Sequence, residues 1–101
     1  MKTFDLNARK ALGHAQREKN VFYETQEFKM RIVGLNPGEG LPPCEMASHV
    51  VFLCLEGKVE VSVGTEKASL SPGQGLAAGP ALFAMTSETG ARLLGIQIAK
   101  A

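Results

Sequence analysis

From Asn20 onward, turn-forming clusters cut the chain into short pieces about every 8–12 residues. They include Asn36-Pro37-Gly38-Glu39-Gly40, Gly64-Thr65, Ser71-Pro72-Gly73, Gly79-Pro80 and Glu88-Thr89-Gly90. Glycine and proline here end one extended run and start the next, because proline cannot donate to a ladder and glycine accepts turn dihedrals. No long helical stretch lies between the clusters, so a helix-covered parallel sheet is excluded. An all-β sandwich or barrel is expected instead.

The pieces themselves carry a period of two. Residues 20–25 are rich in β-formers, and Gln26 and Glu27 make a polar turn. Phe28–Leu35 sets Phe28, Met30 and Ile32 against Lys29 and Arg31, which predicts one buried and one wet face, with the arginine on the wet one. Residues 41–46 hold Pro42 and Pro43 and fit an edge or a strand start. Residues 50–55 are apolar at every position, so both faces of that strand need cover. Residues 58–63 alternate Val59, Val61 and Val63 with Lys58, Glu60 and Ser62. Glu66–Leu70, Gly75–Ala78, residues 82–87 and Ala91–Ile98 complete the set. Residues 7–19 alone have helical composition. With few apolar side chains and Gly13 in the middle, they predict at most a short helix, with His14 on the surface. The expected organisation is an N-terminal extension over residues 1–19 and a barrel over residues 20–101.

The 101 residues suit one domain, which buries roughly two-thirds of its unfolded surface without needing a disulfide or structural metal. A net charge of +1 with no basic stripe argues against nucleic acid as a partner. No apolar run approaches the ~20 residues of a membrane span, and the start lacks a signal-peptide core, so a cytoplasmic protein with no membrane partner is expected. Cys44 and Cys54 would then be thiols. Cys54, inside the apolar strand, reads as core, and Cys44 as a small buried hydrophobe.

GEGLPPCEMASHVVFLCLEG, from Gly38 to Gly57, together with LSPGQG at residues 70–75, resembles the two motifs of a small single-domain cupin. The likeness covers about four-fifths of the chain, from Asn20 to Ile98. It implies an all-β fold, a cupin jelly-roll or double-stranded β-helix barrel with a short N-terminal extension. In the family, a first motif of glycine, five residues, His-x-His, a short gap, Glu, six residues and glycine supplies three metal ligands. A second motif supplies a further histidine. Counted onto this chain, those ligand positions are Cys44, Met46, Val50 and, from Gly73, Ala84. A one-residue slip of the second motif, using Pro80, brings Phe83 or Met85 to the last position instead.

Divalent iron and manganese seek imidazole and carboxylate, and Val50 and Ala84 offer no lone pair. The frame of the barrel is therefore expected without the family's usual metal, and no cofactor is assigned. Two function classes stay open. In one, a small apolar pocket lined by Cys44, Met46, Val50, Phe52, Phe83 and Ala84 takes a small molecule, or the same residues simply fill a regulatory or structural barrel. In the other, an enzyme or metal-binding protein uses a soft site of Cys44, Met46 and His49 with zinc or copper. Strand alternation turns His49 away from Val50 unless Ala47-Ser48 breaks it, and the adjacent Ser48-His49 pair has no acid to orient it. The two-sided apolar strand further predicts a homodimer with Val51 and Leu53 at or near the interface, unless the N-terminal segment covers that face.

Overall fold

The computed structural model describes residues 1–98; the last three residues of the expected barrel and the side chain of His14 lie outside them. Among the described residues, nine strands follow one 3-10 helix over His14–Asn20: β1 Val21–Glu24, β2 Phe28–Leu35, β3 Gly40–Met46, β4 Val50–Gly57, β5 Val59–Val63, β6 Glu66–Leu70, β7 Gly75–Ala78, β8 Ala81–Thr86 and β9 Ala91–Ile98. The helix is shorter than the helix-forming composition of residues 7–19. Few apolar residues there offer a stripe for packing to stabilise, so the preceding residues stay irregular.

All strand pairs are antiparallel. A five-stranded sheet runs β1-β2-β9-β4-β7 and a four-stranded sheet runs β3-β8-β5-β6. The chain crosses repeatedly from one sheet to the other, which is the jelly-roll way of wrapping two sheets around one interior. Gly57 ends β4 at a φ of 75°, where an added Cβ would stand 1.9 Å from the Gly90 carbonyl oxygen, so only glycine fits this turn.

Between the sheets, Leu35, Cys54, Val59, Val61, Leu70 and Leu93 form the buried core, with Val33, Val50, Phe83 and Met85 in the same cluster. Complete burial of a side chain such as Leu93 is worth roughly 1.5–3 kcal/mol. Ser87, 2% exposed, closes this end by donating to the Lys58 carbonyl at 2.5 Å, while its own carbonyl accepts from Gly38 N at 2.8 Å.

The outer face of the five-stranded sheet holds a second cluster. Phe22, Ile32 and Leu94 pack with Met30, Leu53 and Leu55, and Leu6 and Ala11 of the N-terminal segment cover them. The approach is close: a Cβ on Gly34 would lie 2.5 Å from that of Ala11. Arg92 fastens the segment, donating to the carbonyls of Leu6 and, at 3.1 Å, Arg9, and pairing with Glu56 at 2.7 Å. The N-terminal segment thus supplies part of the cover that the apolar strand β4 requires. Val51 remains 37% exposed. Among the described residues, no helix is long and apolar enough to cross a membrane.

This cover inverts one expectation. β2 alternates as its sequence predicts, but Phe28, Met30 and Ile32 share the outer face, and Arg31 shares the inner face with Val33 and Leu35. Arg31 sits opposite Gly95, and its Cγ lies 3.5 Å from where a Gly95 Cβ would stand, the spot the Phe52 ring also approaches. Alternation identifies two faces. Which one is the interior depends on what covers the other, here a segment remote in sequence.

Candidate functional site

At the end of the barrel away from Ser87, the two sheets enclose an open cavity of about 420 Å³. Cys44, Met46, Val50, Phe52, Phe83 and Ala84 all border it. The register explains most of this gathering. Cys44 pairs with Phe83 and Met46 with Ala81 across β3 and β8, while Val50 and Phe52 face inward from β4. The Phe52 and Phe83 rings meet across the interior with centroids 6.0 Å apart and planes at 56°, a tilted geometry that favours their quadrupoles. Ala84 borders the cavity, but it pairs with Ser62 on the alternate face from Phe83 and Met85. Of the two registers considered for the second motif, the strand therefore turns the slipped positions inward.

Cys44 is exposed at the mouth, not a buried small hydrophobe, because β3 is an edge strand and the cavity opens beside it. Its Sγ lies 4.0 Å from the Met46 Sδ. Cys54 is fully buried, and burial pushes its thiol pKa above the ordinary value, countered in part by a hydrogen bond with the Glu56 backbone. His49 does not join the two sulfurs. It is exposed, its imidazole packs beside Gly79, and its carbonyl accepts from Ile98 N at 2.9 Å. Among the described residues, no three His, Cys, Asp or Glu side chains gather in a way that could hold a metal ion. The inward donor set of two sulfurs, a valine and aromatic or thioether neighbours does not fit an iron or manganese centre.

The cavity holds polar groups that the sequence reading left outside. Arg31 is half-buried on its wall, and Gln97, Arg17 and Asn20 border it too. Arg31 Nη2 donates to Gln97 Oε1 at 3.5 Å, the long limit of a hydrogen bond, and Gln97 Nε2 donates to the buried Ser48 Oγ at 3.2 Å. Burial is the main cause lowering the Arg31 pKa from its ordinary value. The nearby Arg17 charge lowers it further, while Glu24 and Cys44 oppose the shift. The guanidinium stays charged regardless. Asn20 is 8% exposed and is satisfied by Leu12, whose amide donates to Oδ1 at 2.8 Å and whose carbonyl accepts from Nδ2 at 2.9 Å. Gln97 carried a usable signal: it breaks the apolar series Leu94-Gly95-Ile96-Ile98 at a position sharing a face with Leu93.

A larger hollow of about 530 Å³ lies on the outside, between the N-terminal segment and the turn ends at Gly57 and Gly90. It is the polar seam bridged by Arg92, and not part of the barrel interior.

No protein-family model matches the chain, and no curated protein matches it. Solved structures do. A protein from Thermus thermophilus superposes with a TM-score of 0.82 at 24% identity, covering 100% of both chains. An RmlC-like cupin protein from Desulfovibrio desulfuricans superposes at 0.77 with 20% identity, covering 98% of this chain and 96% of its own. The chain has the cupin fold. A double-stranded β-helix protein from Klebsiella pneumoniae agrees, at 0.81 and 12% identity over 100% of this chain and 99% of the other. At these identities the likeness of this chain to these structures is one of fold. Its chemistry has to be argued from the cavity.

Proposed function

We infer that this cupin is a metal-independent binding module whose open barrel end takes a small organic molecule. The observation that carries this reading is the cavity itself. Its volume of about 420 Å³ falls in the ~300–1,000 Å³ range of ligand sites. Its wall is mostly apolar, with a few convergent polar groups in Arg31, Gln97 and Cys44. Interiors that serve only as core are filled to crystal-like density, as the Ser87 end of this barrel is. The two free thiols are in keeping with a cytoplasmic protein.

Thermal unfolding against a library of small organic compounds tests the reading. Some compounds should raise the unfolding temperature saturably, by mass action on the folded state. Cys44→Trp, which plugs the mouth from an exposed position, should abolish the shift. A library without effect on the wild type, or with equal effect on the plugged variant, would count against it.

Assembly is part of the proposal. The N-terminal segment leaves Val51 and Ile98 exposed on the outer face of the five-stranded sheet, at 37% and 39%. A two-fold pairing of that face would cover them, now centred on Val51, since Leu53 packs partly against the N-terminal cluster. Light scattering should give the mass of two chains at micromolar concentration, and of one for Val51→Asp. A single-chain mass for the wild type would reject the dimer.

A further inference from the structure

Resting on the cavity reading above, we propose that the molecule it takes is an organic anion, a carboxylate on an apolar body, with the carboxylate at Arg31 and Gln97 and the body against Phe52 and Phe83. Arg31 is the starting point. Its stem runs along the inner face of β2 past Gly95, where the missing side chain leaves room beside the Phe52 ring. Its guanidinium offers five donors, and the structure gives it one partner, Gln97 Oε1 at 3.5 Å. Among the described residues it forms no ion pair. Glu24, the acid that most influences it, is paired with Lys29 at 3.6 Å.

The surrounding charge points the same way. Arg17 is a second cation on the cavity wall. Among the described residues, Glu45 is the only carboxylate bordering the cavity, and its position opposite Leu82, between the inward Cys44 and Met46, turns it to the outer face. A half-buried cation held near a like charge is costly, and an anion seated between the polar groups relieves both the desolvation and the repulsion. A planar guanidinium matches a carboxylate in a two-bond fork, and the Gln97 amide beside it, oriented by Ser48, adds a polar neighbour. Deeper in, the lining is Val50, Phe52, Phe83 and Met85, which suits a hydrocarbon or aromatic body and no second charge.

Matched pairs differing only in the head group test this: 3-phenylpropionate with 3-phenylpropanol, and hexanoate with hexanol. Affinities are read from amide chemical shifts of wild-type protein, Arg31→Met and Arg31→Lys. Each acid should bind the wild type about tenfold or more tightly than its alcohol, as expected for a charge-assisted contact. Arg31→Met should erase that preference while leaving the alcohol's affinity within about twofold, and Arg31→Lys should keep part of it. Alcohols that bind the cavity as well as their acids in the wild type would overturn the anion assignment and leave the cavity reading standing. Absence of cavity shifts with every compound would overturn both. The wild-type comparison decides the matter even if an Arg31 variant fails to fold.

Discussion

The two ends of this barrel share strands β2, β4 and β9 and differ in what fills them. At the Ser87 end, Leu35, Cys54, Val59, Leu70 and Leu93 interlock, each at most 5% exposed, and backbone and hydroxyl bonds seal the rim. Four residues along β2 and β9 from that end, the same inner face carries Arg31 and Gln97 around an opening. Antiparallel sheets supply a common frame to both ends, and side-chain volume and polarity decide which is filled as core and which stays open. Small apolar side chains that meet across the interior exclude water and stabilise. At the other end an arginine opposite a glycine puts a charged, half-buried side chain beside an opening to solvent.

If the ends differ in this way, truncation at the closed end should be the most damaging change. Leu93→Ala should cost about 2–5 kcal/mol in denaturant unfolding, since the packed neighbours cannot collapse into the gap. A loss well under 1 kcal/mol would mean that this end is not close-packed.

The next largest effect concerns what holds the outer face. Arg92→Ala should cost about 1.5–3 kcal/mol, because it removes a largely buried guanidinium bonded to two carbonyls of the N-terminal segment and to Glu56. Faster amide exchange in residues 1–13 should accompany it. Unchanged exchange would show that apolar packing alone holds the segment.

At the open end the sign should reverse. Arg31→Met should leave stability unchanged or raise it by up to about 1 kcal/mol, because a desolvated cation without an ion pair among the described residues is replaced by an apolar side chain of similar length. A clear loss would make Arg31 a structural residue and weaken the contrast between the ends.

The smallest effects belong to the cysteines. Cys44→Ala should change stability by less than about 0.5 kcal/mol, as an exposed position should. A thiol reagent should modify Cys44 quickly in the native protein and Cys54 only on unfolding. Burial raises the Cys54 pKa, so its contribution to stability is complete below the free-thiol value of about 8.5 and falls as pH rises above it. Cys54→Val should flatten that alkaline decline, and an unaltered decline would assign it to other groups.

These contrasts also explain how much could be read beforehand. The strand count and turns were accessible because Gly-Pro clusters and period-two alternation act locally. The wall residues contributed by β4 were accessible too, because one apolar strand had to face the interior. Arg31 was not, since alternation in Phe28–Leu35 is symmetric and only the packing of Leu6 and Ala11 on Ile32 breaks the symmetry. Cys44 was misplaced for a similar reason: its burial depends on β3 being an edge strand beside an opening, a property of sheet order and not of its neighbours in sequence. His49 was left open and lies outside the cavity, against Gly79.

The most direct test of the account is a residue-by-residue map of where a small molecule binds. Amide chemical shifts recorded while 3-phenylpropionate is added should move saturably at Val50, Phe52, Gly95 and Gln97, and stay fixed at Val59, Val61, Leu70 and Leu93. Saturable shifts confined to the closed end or to the outer face, or no saturable shifts at all, would contradict the claim that the open end of this barrel is its binding site.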